Sequence, residues 1–162
     1  MNTGDDKVSE QGVDYLYRGE NQKLVPDDIT RVVVDSSVKE IPRYTFKRKQ
    51  HLEQVVLREG VQEIGRLAFE QCKLLNRITF PSTLKVIGTA SLAVTGLVHV
   101  ELPVGLEQVE YCAFLNCPAL RTVVFRSTVA EIGGSAFATC DNLVSVKLPV
   151  NLRVIEYGMF SN

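Results

Sequence analysis

A stretch of about 23 residues recurs along most of the chain, and a period of that length restricts the fold more than any single residue does. Five copies align: VKEIPRYTFKRKQHLEQVVL from Val38, VQEIGRLAFEQCKLLNRITF from Val61, LKVIGTASLAVTGLVHVEL from Leu84, LEQVEYCAFLNCPALRTVVF from Leu106 and VAEIGGSAFATCDNLVSVKL from Val129. A sixth starts at Leu152 and breaks off at Asn162, while Ile29, Val32 and Val34 supply the closing strand of a copy before the first. Successive starting residues lie 23, 23, 22, 23 and 23 apart. Such self-similarity marks a solenoid, because each unit is too small to bury its apolar face except against its neighbours.

The copy from Val61 to Phe80 shows how one unit works. Its last segment, Leu75-x-x-Ile78-x-Phe80, has a strand's period: Ile78 and Phe80 face one way, Arg77 and Thr79 the other. Pro81 follows, as Pro103 and Pro149 do in their copies; without an N–H to donate, proline suits a strand end. Between Gly65 and Cys72 there is room only for one short helical or 3₁₀ turn, which would aim Phe69 inward.

Stacked in register, the units form columns. Val38, Val61, Leu84, Leu106, Val129 and Leu152 make one, and Ile41, Ile64, Ile87, Val109, Ile132 and Ile155 another. An aromatic column runs through Phe46, Phe69, Leu92, Phe114, Phe137 and Phe160. After the isoleucine column stand Pro42, Gly65, Gly88, Glu110, Gly133 and Glu156. Proline fixes φ near −65°, so this position cannot generally need positive φ, and its glycines point to close packing.

Bulk properties narrow the function. The chain has 162 residues, 45% of them hydrophobic, which suits one soluble domain with a continuous core. A net charge of −1 argues against nucleic acid as the main ligand. No apolar run approaches the roughly 18 residues a membrane span needs. The start, MNTGDDKVSEQGVDYLYRGE, is polar and acidic rather than signal-like, so the expected location is cytoplasmic. Residues 1–28 read as a leader or cap, and 29–162 as a solenoid with an incomplete last repeat.

The pattern I-G-x-x-A-F-x-x-C-x-x-L-x-x-V-x-L-P resembles the BspA-like, or Treponema-type, leucine-rich repeat. The resemblance runs from about Ile29 to the last residue, and Ile64–Pro81 and Ile132–Pro149 are near-perfect copies. It implies a right-handed, curved leucine-rich-repeat solenoid: a parallel sheet on the concave face and short helical or 3₁₀ turns on the convex side. It also implies a binding or adhesion role, and it brings no catalytic motif. YLYRGENQKLVPDDIT is similar to the leader of such arrays in eukaryotic microbes. The middle copy departs from the pattern. Ile87–Leu102 lacks the A-F pair and the cysteine and is one residue short, so a local irregularity in stacking is expected there.

Candidate chemistry is sparse. Cys72, Cys117 and Cys140 share a column with Lys49 and Thr95, while Cys112 lies outside it. Stacking brings Cys117 and Cys140 within about 5 Å, but a recurring small thiol at a tight turn reads first as packing. There is no C-x-x-C pair, and His51 and His99 lie two repeats apart. Gly133-Gly134 lacks the G-x-x-x-x-G-K context of a phosphate loop. Lys47-Arg48-Lys49 reads as a solvated turn before it reads as an anion patch. The sequence therefore points to no enzyme, no cofactor and no metal site.

Function is better sought on the strands, where the third and fifth positions of L-x-x-V-x-L point out of the sheet. One outward column is Arg31, Gln54, Arg77, His99, Thr122 and Ser145; its neighbour is Val33, Val56, Thr79, Glu101, Val124 and Lys147. Apolar contact flanked by hydrogen-bonding groups is what protein interfaces use. Alternatively, β-branched residues stand there because they favour strands. The expected function is a non-enzymatic protein–protein interaction module using its concave sheet, without nucleic acid or membrane. Other readings are an adhesin or receptor ectodomain fragment, and the recognition domain of a larger multidomain protein. The break inside the sixth repeat favours a fragment, with self-association through the open carboxyl end or a capping partner as alternatives.

Overall fold

The structure is a computed structural model that describes residues 14–126 and 129–161. From Arg31 onward each coil contributes one long and one short strand, and these stack in parallel ladders. The long strands are β1 (Asp14–Tyr17), β2 (Arg31–Val34), β4 (Gln54–Leu57), β6 (Arg77–Thr79), β8 (His99–Leu102), β10 (Thr122–Phe125) and β12 (Ser145–Lys147). Two-residue strands form the second ladder: β3 (Glu40–Ile41), β5 (Glu63–Ile64), β7 (Val86–Ile87), β9 (Gln108–Val109), β11 (Glu131–Ile132) and β13 (Val154–Ile155). The molecule is thus a parallel β-solenoid.

Valine-rich segments become the long strands because every second side chain can leave water. In β2, Val32 and Val34 are fully buried while Arg31 and Val33 stay half-buried, and β4 and β10 repeat the alternation. β6 and β12 stop one residue shorter, before the Phe80-Pro81 and Leu148-Pro149 pairs, whereas β8 keeps all four residues up to Pro103; proline bounds these strands without setting their length. The columns fill the interior, and Ile41, Ile64, Ile87 and Ile132 are all inaccessible. The aromatic column stacks nearly flat, with Phe46 and Phe69 centroids 5.0 Å apart and Phe114 and Phe137 5.3 Å apart. Leu92 interrupts it, and Tyr17 of β1 closes it edge-on against Phe46 at 5.1 Å.

Apart from a single 3₁₀ turn at Gln22–Leu24, turns rather than helices fill the remaining side of the coils. Amides there alternate in direction: Tyr44, Phe46 and Arg48 donate to the Arg66, Ala68 and Glu70 carbonyls of the next coil, while Thr45, Lys47 and Lys49 donate back within their own. A helix would direct every N–H inward along its own axis, so this exchange needs a different backbone. Two positions per coil supply it with positive φ, held by Tyr44 and Arg48, Leu67 and Gln71, Ala90 and Val94, Cys112 and Asn116, and Ser135 and Thr139. Left-handed backbone costs a non-glycine residue about 1–2 kcal/mol. The inter-coil bonds hold it in place; Val94, for example, donates to Leu115 at 2.8 Å.

The glycine column behaves as close packing requires. A Cβ on Gly65 or Gly88 would lie 2.6 Å from the carbonyl oxygen of Ile41 or Ile64, and φ is negative at both.

The irregularity expected in the middle repeat falls on the long-strand side. β1, β2, β4 and β6 form one sheet and β8, β10 and β12 another, whereas the short-strand ladder runs through from β3 to β13. The cause is the missing residue at Thr95-Gly96-Leu97. In the other coils this turn is closed by bonds such as Leu75 N–H to Cys72 O, 3.0 Å, and Leu120 N–H to Cys117 O, 3.1 Å; among the described residues Leu97 has no counterpart. The shortened backbone presses on the coil before it, and a Cβ on Gly96 would sit 2.5 Å from the Lys73 oxygen. β8 consequently enters its strand without the bond that Asn76 N–H makes to Glu53 O, 3.0 Å, one coil earlier.

Of the segment read as a leader, residues 1–13 lie outside the described residues, and β1 pairs with β2 from Asp14↔Arg31 to Tyr17↔Val34. At the other end the columns surface: Ile155 is 62% exposed where its inner equivalents are fully buried.

Candidate interaction surface

Parallel pairing without register slips carries the outward residues of the long strands into straight rows. Arg31, Gln54 and Arg77 are Cα partners, as are Val33, Val56 and Thr79. Beyond the split, His99, Thr122 and Ser145 line up, and so do Glu101, Val124 and Lys147. The twelve residues expected on this face therefore form two groups of six rather than one continuous surface. Val33, Val56 and Val124 are half-buried, less open than an outward position alone implies, because neighbouring rows flank them. Arg77, Thr79, His99, Glu101, Ser145 and Lys147 are exposed.

Polar contacts order the second group. His99 Nδ1 and Thr122 Oγ1 share a hydrogen bond of 2.7 Å. Arg126, just past β10, donates to the Glu101 carboxylate. With both partners exposed, this ion pair fixes geometry more than it adds stability. Arg77 and Lys147 form no ion pair among the described residues.

At the split lies a cleft of about 530 Å³, walled by Thr79 and by His99 and Glu101, with Thr122, Val124 and Arg126 at its rim. Its floor is the core itself. Ile78 and Phe80 are half-buried there, whereas Val55 and Val100, the equivalents of Ile78, are 1% and 2% exposed. Sequence reasoning placed the irregularity but not the cleft, and it missed Arg126. The available signal was an arginine in a column otherwise holding Asp35, Arg58, Pro81, Pro103 and Pro149, one coil after the lone acid of the valine row.

The cysteines serve the interior. Sγ–H of Cys72, Cys117 and Cys140 donates to the carbonyls of Phe46, Leu92 and Phe114 at 3.0, 3.3 and 3.2 Å, each a residue of the preceding coil's aromatic column. All four thiols are free and buried. Burial pushes the Cys72 thiol up to about 12, far from a usable thiolate. Among the described residues no group of three or more His, Cys, Asp or Glu side chains is placed to hold a metal, and no helix is long and apolar enough to cross a membrane.

Comparison with known proteins agrees with this architecture. A family model described as "BspA type Leucine rich repeat region" matches residues 26–133 and 72–162, in six copies. Among solved structures, a leucine rich cell surface protein from Faecalibacterium prausnitzii superposes with a TM-score of 0.67 at 24% identity, over 76% of this chain and 33% of that one. The chain thus spans about a third of that protein's length, and the likeness is one of fold. The T. pallidum Leucine Rich Repeat protein superposes with a TM-score of 0.56 at 27% identity, over 75% of this chain and 71% of that one. No curated protein matches the sequence.

Proposed function

The chain belongs to the BspA-type leucine-rich-repeat family, and from that premise we propose that it is a protein-binding module using its long-strand, concave face. Leucine-rich repeats are generally non-enzymatic, and the reading needs no catalytic group. The observation that carries it is the register of the outward rows. Half-buried valines at Val33, Val56 and Val124 run beside the polar row containing Arg77 and His99, giving apolar contact area within reach of hydrogen-bonding groups.

The test is affinity capture from native lysate with mass-spectrometric identification, run beside the doubly substituted V56T/R77E chain. Both positions lie outside the core, so the variant should melt like the parent. A protein captured by the parent and lost by the variant supports the concave face; an unchanged set of captured proteins rejects it.

A further inference from the structure

The split in the long-strand sheet exposes three features together. The first is apolar: Ile78 and Phe80, whose equivalents Val123 and Leu102 are inaccessible, open to the outer face. The second is backbone. Thr122 N–H bonds Val98 O, and Arg126 N–H bonds Leu102 O, so the even residues of β8 serve β10. By the alternation of a parallel ladder, His99 and Glu101 then turn their main-chain groups toward β6. Arg77 N–H bonds Glu53 O, which leaves Ile78 turned toward β8. No ladder joins the two strands, so these groups face a gap.

The third feature is charge. On a chain of net charge −1, Arg77 and Lys147 stand on the outward rows without an ion pair among the described residues, and the single acid there, Glu101, is already neutralised by Arg126. Arg77 stands beside the cleft wall with no carboxylate partner among the described residues. A complementary segment is acidic.

We infer that this cleft is the anchor point of the concave surface and takes one leucine- or phenylalanine-sized side chain from an extended, acidic segment of the partner protein. The inference rests on the concave-face reading and deepens it. The apolar side chain covers Ile78 and Phe80, removing from water the patch that the sheet break uncovers. The segment's main chain offers hydrogen bonds to the unpaired groups of Ile78, His99 and Glu101, as an edge strand does for an added peptide. Its carboxylates reach Arg77 on one side of the cleft and, by competing with Glu101, Arg126 on the other.

The probe is a displayed library of random twelve-residue peptides selected on the immobilised full chain, with enriched peptides resynthesised for fluorescence anisotropy. Enriched sequences should place leucine, phenylalanine or methionine within three residues of aspartate or glutamate. Their affinity should fall at least tenfold in T79W, which plugs the cleft from the β6 wall, and in H99W, which plugs it from the β8 wall. It should fall again in R77E and at 0.5 M salt. Both plugging variants alter exposed positions, and a parent-like melt confirms that each folds.

If peptides are lost with V33E but bind T79W and H99W normally, the cleft is wrong and the concave reading stands. Peptides indifferent to all of these substitutions overturn both. A basic consensus, or no enrichment at all, overturns the cleft proposal.

Discussion

The Lys49 ammonium donates to the main-chain carbonyl of Val25 at 2.7 Å and to the Asp27 carboxylate at 2.6 Å. In the inner coils the same position holds Cys72, Cys117 and Cys140, each donating to a carbonyl of the preceding layer. The column is therefore defined by a buried donor, and its length varies with the distance to be bridged. Thr95 donates instead to Leu92 of its own coil, in the repeat that is one residue short.

Lys49→Met should destabilise the chain by about 2 kcal/mol, the range for hydrogen bonds to charged groups. The Val25 carbonyl loses its donor while the aliphatic stem is kept. Urea denaturation reads the loss, and hydrogen exchange should show faster opening of the β1–β2 pairing. Asp27→Asn should do less, because that carboxylate lies in water. Equal effects from the two would place the stabilisation in the ion pair instead.

Ser91→Ala should raise stability by about 1 kcal/mol. The Ser91 hydroxyl is fully buried without a hydrogen-bond partner, and alanine already occupies its place at Ala68, Ala113 and Ala136. Removing an unsatisfied buried polar group recovers its desolvation penalty. A lowered denaturation midpoint would mean that the hydroxyl is bonded after all.

Val94→Asn should also stabilise, again by about 1 kcal/mol. Val94 holds φ at 58°, where a β-branched side chain is strained and asparagine is tolerated. The amide that donates to Leu115 stays in place. Thermal melting decides, and a fall beyond 1 kcal/mol would show that the valine's packing outweighs its backbone strain.

Acid should loosen the turns between coils. Main-chain and hydroxyl donors of Ser82 hold the Glu59 carboxyl below its usual range, and those of Ser37 do the same for Asp35. A lowered folded pKa stabilises above the unfolded value and is lost as pH falls through the folded one. Glu63 runs the other way: burial, then the neighbouring Glu40 and Glu110, raise its pKa, so protonating it relieves strain. The melting temperature should fall between pH 5 and pH 3, and E59Q should flatten that limb. A variant limb as steep as the parent's would count against Glu59.

The thiols should be silent in the native state. All four are buried, and burial holds Cys72 near 12, so iodoacetamide at pH 8 should label only as fast as the chain unfolds. Rapid stoichiometric labelling of the folded protein would contradict this packing.

Much of the architecture was legible in the residues. Period, columns and strand positions follow from which side chains must leave water, and a repeat states that requirement five times over. Pro81, Pro103 and Pro149 likewise bound β6, β8 and β12, each of which ends within two residues before its proline. The turns that follow the short strands were not legible. Tyr44, Leu67, Val94 and Thr139 have nothing in common that signals positive φ; neighbouring coils impose it by taking every second amide.

What the sequence by itself determined is the solenoid, its register and the residues facing out, because hydrophobic burial depends on spacing along the chain. Tertiary structure alone decided that the shortened turn at Gly96 would open the long-strand sheet and leave the short-strand ladder whole. Backbone clearance between Gly96 and Lys73 and the hydrogen bonds between adjacent coils exist only once the coils stack, so the cleft above Ile78 and Phe80 appears in no single repeat.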